Sequence, residues 1–205
     1  FPINPISGNL SRRPDMASKN ELQGKWTDAM LTLITGGARS GKSARAQFLA
    51  EGQPGELVYL ATAQALDEEM SERIARHRAD RGPRWCTVEC PIDLPDAIAR
   101  EMGEGRVLLI DCLTLWTSNL LLGEHDFSVA SQRLIATLVT ASCPVILVSN
   151  EVGMGIVPDN ALARRFRDMA GRLNQEVAAI ANHAELVVAG LCIPLKSNSS
   201  QLTSP

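Results

Sequence analysis

Short aliphatic runs alternate along this chain with longer stretches whose apolar residues recur at helical spacing. Runs at Leu31–Thr35, Glu56–Ala61, Arg106–Asp111, Pro144–Ser149 and Leu186–Gly190, and a shorter one at Trp85–Glu89, lack polar alternation. That is the pattern of strands buried on both faces. Helices are predicted over Ser43–Glu51, Asp67–Arg81, Val129–Ala141 and Asn160–Ala181. Leu66, Met70 and Ile74 fall on one face of the second, and Pro158-Asp159 signals the start of the last. Strand–helix alternation of this kind predicts an α/β protein with a largely parallel sheet.

The two ends read differently. Residues 1–29 carry turn residues such as Phe1-Pro2-Ile3-Asn4-Pro5 and no periodicity, and are expected to be a disordered or non-native extension. Residues 30–196 are expected to form the one domain, and 197–205 a polar tail. Hydrophobic residues make up 45% and aromatics 4%, so the core must be mainly aliphatic. A formal net charge of −3 argues against nucleic acid as a partner. No apolar run is long enough to span a bilayer, and a cytoplasmic location is expected. The five cysteines are scattered, with only a C-x3-C pair at Cys86 and Cys90, so reduced thiols are expected and a zinc site is not.

The chemistry enters with Gly36-Gly37-Ala38-Arg39-Ser40-Gly41-Lys42-Ser43, which fits G-x4-G-K-[ST]. Glycines let several backbone N–H groups converge on phosphate oxygens. Lys42 reaches the β- and γ-phosphates, Ser43 offers a hydroxyl to Mg2+, and the helix that follows aims its positive end at the anion. The preceding strand and following helix are the context this motif needs. A second apolar strand ends in Asp111, at the sheet edge where α/β ligands bind, so Asp111 is a second candidate for Mg2+. The fold expected is therefore that of a P-loop NTPase, RecA-like, with three layers.

His77 continues the Met70–Ile74 stripe among Arg73, Arg76, Arg78, Arg81 and Arg84. Such a cluster of arginines suits a polyphosphate. Neighbouring cations disfavour the imidazolium, and a neutral ring can attack phosphorus. From the pattern alone, a packed or solvated histidine on a basic helix is the competing reading. His125 sits in a polar loop and His183 just after the last helix.

Taken together, these segments resemble a known family. The P-loop is followed by Tyr59-Leu60-Ala61-Thr62-Ala63, Asp67-Glu68-Glu69-Met70 and Arg73-Ile74-Ala75-Arg76-His77-Arg78. Then come Trp85-Cys86-Thr87-Val88-Glu89, Leu109-Ile110-Asp111-Cys112-Leu113-Thr114 and Asn150-Glu151-Val152-Gly153-Met154-Gly155-Ile156-Val157-Pro158. In this order, from about Met30 to Lys196, they resemble the bifunctional adenosylcobinamide kinase/adenosylcobinamide-phosphate guanylyltransferases of cobalamin biosynthesis. The resemblance implies phosphorylation of adenosylcobinamide by ATP or GTP, then guanylylation of adenosylcobinamide phosphate by GTP through a histidine. It implies that His77 is the guanylylated residue. It assigns nucleotide contacts to Gly36 through Ser43, to Ala61, Thr62 and Ala63, to Arg78, Ala79, Asp80 and Arg81, and to Glu89 and Asp111. It also implies a homo-oligomer, a trimer. The glycines of the Asn150–Pro158 block suggest close approach to the corrinoid or the base. The rival readings are a P-loop kinase for another small molecule with an inert His77, and a nucleotide-switched binding module.

Overall fold

The computed structural model describes residues 31–64 and 82–197. They form one seven-stranded sheet: β1 (Leu31–Gly36), β2 (Glu56–Ala61), β3 (Trp85–Glu89), β4 (Arg106–Asp111), β5 (Val145–Asn150), β6 (His183–Val188) and β7 (Leu191–Lys196). The strand order is β3-β2-β4-β5-β1-β6-β7, and every pairing is parallel except β6 with β7. Five helices occur among the described residues: α1 (Lys42–Glu51), α2 (Leu94–Glu101), α3 (Leu113–Leu122), α4 (Phe127–Val139) and α5 (Ala161–Ile180). The predicted helix Asp67–Arg81 lies outside the described residues.

Alternation along the strands divides the core into two layers. Leu33, Leu60, Leu108, Ile110 and Leu147 face one way, against Leu94, Leu113, Trp116, Leu134 and Leu173 of α2 to α5. Ile34, Leu57, Leu109, Ile146 and Val148 face the other way, against Ala46 and Leu49 of α1. The sheet thus lies between two helical layers, the three-layer α/β arrangement expected.

Several boundaries differ from the sequence reading, each for a local reason. Helix α4 starts at Phe127 because Asp126 is its cap, accepting from the Val129 amide at 3.1 Å. Asn160 caps α5, its Oδ1 accepting from the Ala163 amide at 2.7 Å. The last parallel strand begins at His183 rather than Leu186 and ends at Val188. Ala189 and Gly190, at φ 52° and 79°, then turn the chain into β7. Helices α2 and α3 and strand β7 were not anticipated. Helix α3, LTLWTSNLLL, is buried nearly all round, Thr114 and Thr117 included, and so shows no solvent-facing polar stripe. Strand β7 carries Pro194, which an edge strand tolerates.

Candidate nucleotide-binding site

Strand β1 is buried along its whole length and delivers Gly36 to the carboxyl edge of the sheet. The chain then turns through residues 37–41 into α1. Gly41, the N-cap of α1, sits at φ 99°, where side chains are disfavoured. A Cβ on Gly36 would strike the Val187 carbonyl and come within 2.7 Å of the Ser40 hydroxyl. The loop is braced from β6–β7, whose Gly190 amide donates to the Ser40 carbonyl at 2.8 Å. Lys42 is buried, and its Nζ donates to the Gly37 carbonyl at 3.1 Å. The hydroxyls of Thr35 and Ser40 are buried without a hydrogen-bond partner among the described residues, an arrangement that costs free energy unless something else supplies one. Helix α1 has no acidic residue in its first turn, so none of its own side chains there offsets its positive end. A glycine-rich turn, a lysine and buried hydroxyls at a helix N-terminus form an anion cradle.

Helix α1 is fixed to β6 by an ion pair between partly buried Arg45 and buried Glu185. Arg45 Nε and Nη2 each reach a Glu185 carboxylate oxygen at 2.8 Å. His183 Nε2 lies 3.2 Å from Glu185 Oε1. Burial pushes the Glu185 carboxyl up, but the bonds from Arg45 and His183 overcome this and hold it at about 2. His183 is therefore the opening residue of a strand with a buried partner, rather than a helix-end residue. No sequence signal connects Arg45 with Glu185, 140 positions apart.

The acidic candidates converge on the same edge. Ala61 pairs with Glu89 on one side and Asp111 on the other. Alternation puts Ala61, Glu89, Asp111 and Gly36 on the face that carries α1. Asp111 is joined to Cys112 by a cis peptide. Thr62 is fully buried, and its hydroxyl accepts from the Cys112 amide at 2.7 Å and donates to the Cys112 carbonyl at 2.8 Å. The Thr62 carbonyl accepts from Asn119 Nδ2 at 2.8 Å. The side chain of Thr62 therefore grips the backbone just after Asp111. Beyond β5, the Glu151 amide donates to the Gly36 carbonyl at 3.0 Å, which ties the 151–158 loop to the P-loop. That loop exposes Met154, Ile156 and Val157.

Not every predicted residue joins this cluster. Arg84 lies at the far end of α1, donating to the carbonyls of Glu51, Gln53 and Gly55 at 3.2, 2.8 and 2.9 Å. It does not belong with arginines gathered on phosphate. His77, Arg78, Ala79, Asp80 and Arg81 lie outside the described residues. Among the described residues, no group of three or more His, Cys, Asp or Glu side chains could hold a metal ion, and none of the five cysteines is in a disulfide. No described helix is long and apolar enough to cross a membrane.

The cradle and the sheet define an α/β P-loop protein. An ATPase from the type III secretion system of pathogenic bacteria shares this fold, with a TM-score of 0.50 at 13% identity over 81% of this chain and 57% of that one. The chain belongs to the cobinamide kinase/cobinamide phosphate guanyltransferase family, whose model matches residues 32–195. Among curated relatives, the bifunctional adenosylcobalamin biosynthesis protein CobU of Escherichia coli is 44% identical over 182 residues. The alignment covers 82% of this chain and all of that one. CobU of Salmonella typhimurium is 43% identical with the same coverage. CobP of Pseudomonas aeruginosa is 47% identical over 169 residues, covering 82% of this chain and 98% of that one.

Proposed function

We propose that this chain phosphorylates the aminopropanol hydroxyl of adenosylcobinamide with ATP or GTP. It then transfers GMP from GTP to adenosylcobinamide phosphate, giving adenosylcobinamide-GDP and pyrophosphate. The observation that carries this reading is the family match over nearly the whole sheet, with the P-loop cradle intact at its centre.

In the first reaction the acceptor oxygen attacks the γ-phosphorus and the nucleoside diphosphate leaves. The P-loop amides and Lys42 hold the triphosphate in line and offset its charge. In the second, a neutral His77 nitrogen attacks the α-phosphorus of GTP, a phosphorus–nitrogen bond forms and pyrophosphate departs. A phosphate oxygen of the corrinoid then displaces the imidazole. The covalent step lets GTP and the corrinoid bind in turn.

Mg2+ would be held by the Ser43 hydroxyl and Asp111, oxygen donors of the kind it prefers alongside phosphate oxygens and water. When bound it supplies neutralisation of the phosphate charge. Ala61, Ala63 and Glu89, with Arg78, Ala79, Asp80 and Arg81, complete the nucleotide contacts. Thr62 contributes by fixing the chain after Asp111. The active unit is a homo-oligomer, a trimer by family resemblance, in the cytoplasm.

Incubation of adenosylcobinamide with Mg2+ and each nucleotide tests the reading. It predicts a phosphorylated corrinoid with ATP or GTP, and a GDP-corrinoid with GTP alone. Transfer of a single phosphate to a different small molecule, with adenosylcobinamide untouched, would instead establish the rival P-loop kinase.

A further inference from the structure

Strand β5 lies between the P-loop strand β1 and the Asp111 strand β4. Its last residue, Asn150, is the register partner of Gly36, the first glycine of the cradle. Its neighbour Ser149 faces α3, where its hydroxyl is 3.3 Å from that of Thr114. Val148 packs on the α1 side of the sheet. Alternation therefore places Asn150 on the α1 side, the side of the phosphate cradle.

The backbone of Asn150 is held from two helices. The Thr114 hydroxyl accepts from its amide at 2.6 Å, and Asn174 Nδ2 donates to its carbonyl at 3.2 Å. The next residue, Glu151, donates to the Gly36 carbonyl at 3.0 Å. The half-buried carboxamide of Asn150 makes no hydrogen bond among the described residues. An amide fixed this firmly at its root but uncommitted at its tip is a preorganised donor.

We propose that the Asn150 carboxamide is a catalytic residue that donates to an oxygen of the γ-phosphate held in the cradle. In the kinase reaction the acceptor oxygen bonds to the γ-phosphorus as the bond to the β–γ bridging oxygen breaks. The acceptor proton leaves to solvent, and Asn150 neither gains nor loses one. Its N–H steadies charge on the phosphoryl oxygens throughout.

The inference rests on the kinase reading only for its turnover arm, so the test has a second arm without corrinoid. Calorimetry with Mg2+ compares GMPPNP, a non-hydrolysable triphosphate, with GDP on wild type, Asn150→Ala and the near-isosteric Asn150→Asp. Asn150→Ala should weaken GMPPNP binding about tenfold, as expected for loss of a hydrogen bond to a charged group, and leave GDP within about twofold. Asn150→Asp should weaken GMPPNP further, because it sets a carboxylate against the phosphate. Kinase kcat/KM should fall roughly 10²-fold with the thermal midpoint unchanged. Unchanged GMPPNP affinity in both folded variants would overturn the proposal. So would equal weakening of GMPPNP and GDP, which would mark general support of the loop. A wild type inactive on adenosylcobinamide would sink the function proposed above, and the GMPPNP-to-GDP comparison would still decide the role of Asn150.

Discussion

The hydroxyl of Thr62, wholly buried, both accepts from the Cys112 amide at 2.7 Å and donates to the Cys112 carbonyl at 2.8 Å. One side chain on the segment after β2 thus fixes the exit of β4, where Asp111 stands beside Ala61. Removing the hydroxyl leaves two buried backbone groups without that partner, at about 1–3 kcal/mol. Thr62→Val should lose roughly that much stability in urea melts, and Thr62→Ser should keep most of it. If Asp111 holds the metal, Thr62→Val should also raise the Mg2+ concentration needed for half-maximal kinase activity. Unchanged stability in Thr62→Val would show that the bridge contributes nothing.

The Arg45–Glu185 pair makes a prediction about pH. Glu185 is held at about 2, below its ordinary 4.5. A lowered carboxyl pKa contributes stability that is complete above the unfolded value, and that is lost as pH falls through the folded value. Stability should therefore drop between about pH 4.5 and 2. Glu185→Gln should remove that part of the slope and cost about 1.5–3 kcal/mol at pH 7, because the partly buried Arg45 loses its hydrogen bonds to a charged partner. Urea melts at stepped pH values measure both. A Glu185→Gln profile parallel to wild type would contradict the pairing.

The cradle itself is tested at two positions. Lys42→Ala should lower kinase turnover roughly 10²- to 10³-fold, as removal of one preorganised donor does. It should depress guanylylation too if, as proposed, the same cradle holds the leaving pyrophosphate. Gly36→Ala should impair nucleotide binding for a different reason: its methyl would meet the Val187 carbonyl and the Ser40 hydroxyl, deforming the loop. Normal triphosphate affinity in Gly36→Ala would show that the loop can give way.

Thiol reactivity reports on the fold. Burial pushes the Cys112 thiol up to about 11 and the Cys90 thiol up to about 12, and raises Cys143 as well. Cys86 and Cys192 are exposed. The thiolate is the reactive form. Native protein at pH 8 should therefore react with a disulfide reagent at two positions, Cys192 the slower since burial raises it too, and at all five in denaturant. Rapid native reaction at Cys90 or Cys112 would contradict the packing.

The elements carrying the cradle were legible because their signals are local. A buried aliphatic run, a glycine-rich loop and a helix stand in sequence from Leu31 to Glu51. The strands ending at Ala61, Glu89 and Asp111 were legible in the same way, and a parallel sheet brings such ends to one edge. What could not be read depends on distant partners. The bonds of Thr62 to Cys112, Arg45 to Glu185 and Asn174 to Asn150 span 50, 140 and 24 positions. Helix α3 escaped because a helix buried nearly all round has no polar face to mark its period. Arg84 misled because charge in sequence says nothing of direction: it turns to the carbonyls at the end of α1, away from the cradle.

In the function proposed above, one cradle serves displacement at the γ-phosphorus and at the α-phosphorus, and His77 carries GMP between the two substrates. The decisive measurement is incubation of the protein with α-labelled GTP and Mg2+, without corrinoid. Covalent label should appear that is acid-labile and alkali-stable and is absent in His77→Ala, with phosphorylation of adenosylcobinamide retained in that variant. No label on wild type, or label undiminished in His77→Ala, would contradict it.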